Sequence, residues 1–397
     1  MPTHDPVESG RPRDKDEAIR ALDVAAEALH FNLGSIEEWA EREGVDAVRV
    51  ARRGGNVVGC WAVQKMGIFF GGRSIPVGAV RCVGVAAEHR STGVGKAMMD
   101  ECVLEAARDG LPLLALYPAT QVVYRKSGYE QAGAHVVYKV PLHALQPVDR
   151  SLSLRAMEEM DHAAMAALYR RHAEQHNGPL DRGEWMWRRV FDPPSWSSKR
   201  SLIVIERDGA LEGYAAWSNV PGASLFDHTI EFYDWLAMTP AAVRRLFAYC
   251  VDHSSTNAFV QFRAGPVNPL LGLLREQKQQ VVDRMDWMLR IVNVPAALTA
   301  RGYAAGLSAE LHFDVRDQFI TSNSGKFVLS VSDGAGRVNS GGDGSLSIDI
   351  RGLASLYTGH YSPFELRTMG LLDGNDATLA TARDVFAGTR PWMPDMF

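Results

Sequence analysis

Paired cysteines, long apolar runs and an excess of positive charge are all missing from this sequence. The four cysteines, Cys60, Cys82, Cys102 and Cys250, stand far apart and form no C-x-x-C pair. That spacing fits reduced, buried thiols better than a disulfide framework or a zinc knuckle. No stretch approaches the roughly 18 apolar residues of a membrane span, and the opening MPTHDPVESGRPRDKDE has no apolar h-region. A soluble, cytoplasmic protein with no membrane partner is expected. Lys and Arg number 42 against 47 Asp and Glu, a net charge of -5, so no basic stripe marks a dedicated nucleic-acid binder. Metal-ligand spacing is equally scarce. His172 and His176 in HAEQH lie at i,i+4, but the glutamate is one place out of H-E-x-x-H and a third ligand is absent, so no metal is expected.

What is present is the composition of a soluble globular protein, 46% hydrophobic and 22% charged over 397 residues. That length predicts two or three domains. The first dozen residues read as a disordered arm. Ile19, Leu22, Ala25, Ala26 and Leu29 then follow helical spacing within 16–33, and a second short helix is expected over 36–42. Strand-like runs at 47–52 and 57–63 flank Gly54-Gly55-Asn56 as a hairpin. Ile75 to Ala87 reads as a buried strand. After a glycine loop, Val94, Met98, Cys102 and Ala106 mark one face of a helix that Gly110 stops, and Leu111 to Leu116 is the next strand. Strand, loop, helix and strand make one βαβ unit with a right-handed crossover.

Pro141 to Ser153 reads as a connection. Beyond it come a helix over 161–176 and a tryptophan-rich segment (Trp185, Trp187, Trp196), read as core or subunit contact. A hairpin (202–206 and 213–218), a strand (230–238), a helix (241–251) and a strand (258–262) follow. This order repeats the first region and implies an internal duplication, but the second strand-to-helix junction, MTPAAVRR, has no glycine pair. A third region begins near Val292, with a helix over 296–301, strands at 309–316, 326–332 and 345–350, and further helices.

The loop HRSTGVGKAM, residues 89–98, carries the chemistry. A Walker loop needs glycine where Arg90 stands and a hydroxyl where Ala97 stands, and a dinucleotide fingerprint needs glycine where Met98 stands. What remains is R-x-x-G-x-G, Arg90, Gly93 and Gly95, leading into a helix. Uncovered amides and the helix dipole there suit a pyrophosphate, with charge from Arg90 or Lys96.

This loop resembles the acetyl-CoA motif of the GNAT acetyltransferase superfamily. The run V-Y-R-K-S-G-Y, Val123 to Tyr129, resembles that superfamily's (F/L)-Y-x-K-x-G-(F/Y) element. LRIVNVPAALTARGY, residues 289–303, resembles a segment of the Eis (enhanced intracellular survival) family. The resemblance implies an α/β (α+β) fold with two GNAT-type acyltransferase domains in tandem and a C-terminal sterol-carrier-protein-like α+β domain. The expected division is 1–145 catalytic, 146–291 degenerate and 292–397 sterol-carrier-like.

It also implies acetyl-CoA as cosubstrate, held by Arg90, Ser91, Gly93, Val94, Gly95 and Lys96, with the pantetheine arm on the main chain of Val83 and Val85. Tyr124 would protonate the leaving sulfur, since a phenol with a pKa near ~10 keeps its proton at neutral pH. The terminal carboxylate of Phe397 would accept the amine proton or orient an ammonium, and Trp39 would wall the acceptor pocket. A free α-carboxyl, with a pKa of about 3.3–3.7, is a weak base, so orientation is the larger expected role. Where a family member carries acidic residues, this chain has Phe31 and Met396, with Asp395, Glu37 and Glu38 as carboxylates that could substitute. The implied acceptor is a primary amine on a polyamine, an aminoglycoside-like molecule or a lysine side chain, and the implied assembly a homo-oligomer, a hexamer. The rival reading is a non-enzymatic coenzyme A sensor or carrier of an apolar ligand.

Overall fold

The computed structural model describes residues 5–224 and 226–397. Three groups of elements follow one another. The first comprises β1 (Glu8–Gly10), α1 (Lys15–Leu29), α2 (Ile36–Glu43), β2 (Val48–Arg53), β3 (Asn56–Phe70), β4 (Arg73–Val85), α3 (Val94–Arg108), β5 (Leu113–Leu116), α4 (Gln121–Arg125) and β6 (Glu130–Pro141). The second comprises β7 (Ser153–Ala156), α5 (His162–Ala173), β8 (Leu180–Asp181), α6 (Glu184–Phe191), β9 (Ser201–Arg207), β10 (Ala210–Val220), β11 (His228–Ala237), α7 (Pro240–Asp252), β12 (Asn257–Ala264) and β13 (Gln280–Ile291). The third comprises α8 (Val294–Ala300), β14 (Ala309–Arg316), β15 (Gly325–Ser332), β16 (Ala335–Ser340), β17 (Leu346–Asp349), α9 (Ile350–Thr358), α10 (Pro363–Thr368), β18 (Leu372–Asp373) and α11 (Asp376–Val385).

The strands of the first two groups form one continuous sheet in the order β1-β2-β3-β4-β5-β13-β6-β12-β11-β10-β9-β7, with β8 on β3. Two of its strand pairs are parallel, β4 with β5 and β11 with β12, and each is bridged by a helix, α3 or α7. The duplication read from element order is therefore present in space. β13, which closes the 146–291 segment, lies between β5 and β6 of the 1–145 segment. The chain crosses back after the second unit is built, and the two halves share one ladder of backbone hydrogen bonds.

Local chemistry sets the helix ends. Asp14 accepts a hydrogen bond from the Glu17 amide (2.7 Å) and starts α1, which buries Ala18, Ala21, Leu22 and Ala25. His30, with φ 55, closes it at Leu29, four residues before the end that periodicity predicted. The expected disordered arm is also corrected. Residues 1–4 lie outside the described residues, but Glu8–Gly10 pair with Val50–Arg52 as an edge strand. β3 runs well past Val63, because Met66–Phe70 pairs with Arg73–Val77 around the Gly71-Gly72 turn.

The third group forms its own sheet, β16-β15-β14-β17-β18, with β14 parallel to β17. α9 is buried along its length and packs on β6 and β13 of the large sheet. One apolar core thus joins Phe70, Val77, Leu113 and Trp287 to Phe313, Leu329, Leu353 and Tyr357. Each such side chain contributes about 1.5–3 kcal/mol on burial, so the third group is docked firmly. All four cysteines are buried and free.

Candidate active site

β4 runs parallel to β5 only from Val77–Val80 against Leu113–Leu116. β4 then continues to Val85, whereas the other strand ends before Tyr117-Pro118, so a cleft opens between them. Within that cleft β4 is bulged. Its register against β3 passes from Ala62↔Arg81 to Cys60↔Gly84, so Cys82 and Val83 together face Trp61. Cys82 takes a φ of 54, a left-handed conformation unusual for a residue with a side chain. An unbroken strand over 75–87 was expected. The bulge lies at Cys82 and Val83, and nothing in the Val-rich sequence signals it.

The glycine loop follows. Gly93 caps α3 with φ 90, and a Cβ built there would meet nothing within 4 Å, so the space over the loop is open. The first amide to bond back into the helix is that of Ala97, to the Gly93 carbonyl (3.1 Å). The amides of Val94, Gly95 and Lys96 precede that first donor and stay available at the positive end of the dipole. Val94 buries its side chain in the core and can offer only its amide. Ser91 (φ 61) and Arg90 are exposed, and Arg90 donates to the Val85 carbonyl (3.3 Å). Lys96 pairs with Asp100, so its side chain is already engaged. A residue that the motif did not mark fixes the loop from behind. Arg53 donates to the Thr92 hydroxyl (2.7 Å) and carbonyl (3.2 Å), and that hydroxyl donates to the His89 carbonyl (2.7 Å).

Tyr124 stands on α4 across the cleft, 5% exposed. Burial, with a smaller contribution from Cys102, pushes its pKa up to about 12. The turn after it explains the spacing of its motif. Ser127 donates to Asp100 (2.8 Å), and Gly128 adopts φ 87 where a Cβ would lie 2.7 Å from the Arg290 guanidinium carbon. That guanidinium forms a fully buried pair with Asp317 of the third group (2.7 Å).

Tyr124, Val83, Trp39 and Phe397 line one cavity of about 430 Å³, together with Phe31, Glu43, Arg81, Tyr117, Arg189 and Met396. Four expected site residues from distant parts of the chain therefore meet. The tail that brings Phe397 there is held at each step. Trp392 bridges Ala134 in parallel, the Met393 amide donates to the Ala134 carbonyl (3.2 Å), and Tyr117 donates to the Asp395 carbonyl (2.8 Å) with its ring 5.6 Å from that of Phe397.

Of the carboxylates proposed to replace missing acidic residues, Asp395, Glu37 and Glu38 are not in the cavity wall. Asp395 is buried on Arg182 (2.7 Å), Glu37 accepts from Ser35 (2.9 Å), and Glu38 is taken by Arg42 (2.9 Å) and Ser195 (2.6 Å). The carboxylate that does reach the wall is Glu43, which accepts from Trp39 Nε1 (3.1 Å) and pairs with the buried Arg81. Trp185 is sandwiched between Arg81 (4.6 Å) and Arg189 (4.9 Å), and with Trp196 it faces an adjoining chamber. These residues had been assigned to core or subunit contact. The interleaved Trp and Arg of EWMWRRVF were the available signal. His172 and His176, with ring centroids 4.2 Å apart, border a separate cleft where β11 and β12 diverge, beside Trp392.

Residues 10–132 and 178–291 each match the family described as an acetyltransferase (GNAT) domain, and residues 294–394 match the sterol carrier protein domain. The chain is similar to a GCN5-related N-acetyltransferase from Anabaena variabilis of known crystal structure. That similarity has a TM-score of 0.94 and 32% identity, covering 99% of this chain and 100% of that one. It is 29% identical over 359 residues to a Streptomyces griseus protein named an uncharacterized N-acetyltransferase, covering 82% of this chain and 83% of that protein. It is 26% identical over 340 residues to N-acetyltransferase Eis of Mycobacterium tuberculosis, covering 80% and 79%. No described helix is long and apolar enough to cross a membrane.

Proposed function

The chain belongs to the GCN5-related N-acetyltransferase family as an Eis-like member, and on that premise we propose that it moves an acetyl group from acetyl-CoA to a primary amine by direct transfer. Acetyl-CoA supplies the activated thioester. The observation that carries the reading is the convergence of Tyr124, Val83 and Phe397 on one cavity at the open end of the β4–β5 cleft. The amides of residues 94–96, under open space at Gly93, suit the pyrophosphate. The bulged main chain at Val83 suits the amide-bearing arm, and Val85 borders Gly95 at 3.8 Å from where a Cβ would stand.

In the proposed step the amine nitrogen forms a bond to the acetyl carbon as the carbon–sulfur bond breaks. Tyr124 gives its proton to the departing sulfur, and its raised pKa keeps that proton in place until the step begins. The Phe397 carboxylate takes the proton that the amine loses. The products are an N-acetyl amine and the free thiol. A homo-oligomer, hexameric as the resemblance implies, is the proposed assembly.

The test is thiol release from acetyl-CoA across a panel of primary amines. At least one amine should support turnover, and Tyr124→Phe should reduce it about 100-fold, in the range of a lost general acid. Absence of amine-dependent thiol release across the panel would remove the reading.

A further inference from the structure

On the side away from the glycine loop, the acetyl cavity adjoins a second chamber of about 380 Å³, with which it shares Phe31, Trp39, Glu43 and Arg189. Its charge is the reverse of what a polycationic acceptor needs. Arg42, Arg81, Arg188, Arg189 and Arg200 line the two chambers, and Glu43 is the sole side-chain carboxylate in their walls among the described residues.

The partners of these groups decide which charges are spare. Glu43 is already committed to Arg81 and to Trp39 Nε1. Arg42 is met by Glu38 (2.9 Å) and Asp192 (3.5 Å), and Arg188 by Asp192 (3.4 Å). Among the described residues Arg189 has only Glu43 as an ion-pair partner, at 3.9 Å. Arg200 has no carboxylate within ion-pair distance among the described residues. It donates to the Arg189 carbonyl (2.8 Å), and its Nε is buried without an acceptor. Arg189 lies over the ring of Trp185 (4.9 Å) and Arg200 over that of Tyr233 (4.2 Å), contacts that hold them without neutralising them. The remaining aromatic walls are Trp196, Trp39 and Phe31, whereas the Trp185 ring is already covered by Arg81 and Arg189.

We propose that the acceptor is an apolar, aromatic-sized amine bearing an anionic group, carboxylate or phosphate, which Arg189 and Arg200 receive while the indoles hold its body and the amine points toward Tyr124 and Phe397. This rests on the acetyl-transfer reading and names its substrate class. A planar guanidinium suits an oxyanion through paired donors, whereas polyamines and aminoglycosides meet like charge in this chamber.

The test compares 4-(aminomethyl)benzoate, benzylamine and spermidine as acceptors. The carboxylate compound should exceed the other two at least tenfold in kcat/KM, mostly through KM. Its advantage over benzylamine should fall toward unity in R189Q and R200Q. Preference for spermidine, or no advantage from the carboxylate, would overturn the inference. A binding measurement on the coenzyme A-loaded protein separates this outcome from failure of the transfer reading. 4-Methylbenzoate should bind more tightly than benzylamine even where no amine is turned over, and R189Q should abolish the difference. Equal or weaker binding of the benzoate would overturn the inference while leaving acetyl transfer intact.

Discussion

Arg182 forms an ion pair with Asp395 at 2.7 Å, with side chains 1% and 5% exposed, two residues before the terminal Phe397. The same guanidinium forks onto Asp234 of β11 (2.7 and 2.9 Å) and stacks 3.8 Å over Tyr169 of α5. One buried cation therefore ties the second unit of the large sheet to the tail that enters the cavity lined by Tyr124. Arg182→Met would leave two buried carboxylates uncompensated, at a cost of about 3–5 kcal/mol. Chemical denaturation should show that loss, and tryptophan fluorescence should report a released Trp392. Stability within 1 kcal/mol of the parent, by the same measure of about 1 kcal/mol for an exposed pair, would mean the tail is held without this contact.

The tail also permits a test of Phe397 that leaves every side chain in place. Appending one glycine moves the carboxylate onward by one residue while Tyr117 keeps its bond to the Asp395 carbonyl. Turnover should fall about 100-fold or more, as for loss of a positioned proton acceptor, with little change in KM for acetyl-CoA. Full activity in the extended chain would remove the terminal carboxylate from the mechanism.

The pH profile separates Tyr124 from other titrating groups. Its pKa is raised to about 12, chiefly by burial, and the form that the proposed step uses is the protonated phenol. Activity that depends on this proton is therefore retained from neutral pH upward and lost only as pH rises toward 12. A kcat profile with an alkaline limb near pH 9 that vanishes in Tyr124→Phe would contradict the assignment.

The two strand-to-helix junctions predict one acetyl-CoA per chain. At α3 the cap is Gly93, which makes no side-chain hydrogen bond and leaves the first amides open. At α7 the Thr239 hydroxyl already accepts from the Ala242 amide (3.1 Å), and Pro240 has no N–H to offer. Calorimetry should give a single site. Gly95→Ala should raise KM for acetyl-CoA several-fold without loss of thermal stability, because its Cβ meets only ordinary contacts at 3.8 Å. Two equivalent sites would contradict this account.

Acid stability should depend on Glu17. Its carboxylate holds the buried Arg52 (2.7 Å), and that hydrogen bond lowers its pKa from 4.5 to about 2. The depressed pKa contributes stability above pH 4.5 that is lost as pH falls toward 2. Glu17→Gln should lower the melting temperature at pH 7 and flatten its decline between pH 4.5 and 3, as followed by circular dichroism. An unchanged slope would assign acid sensitivity to other carboxylates.

The sequence by itself determined the element order, the glycine loop and the tyrosine motif. These are local properties: a helix face repeats every few residues, and the left-handed turns at Gly93 and Gly128 need glycine. Even so, local reading carried α1 past His30 and ran β4 straight through its bulge at Cys82. Propensity does not register a single left-handed residue that tertiary pairing enforces. Only the tertiary structure decided that β13 closes the first unit, that Arg182 and Tyr117 guide the last residues to the cavity of Tyr124, and that Glu43 rather than Asp395 lines that cavity. Each of these depends on contacts between segments far apart in the chain. The charge of the chamber beside that cavity belongs with them: the chain is -5 overall, yet arginine-lined where α2, α6 and the loop before β9 converge. Net charge sums over the whole surface, whereas a ligand meets only the few groups that folding places around one cavity.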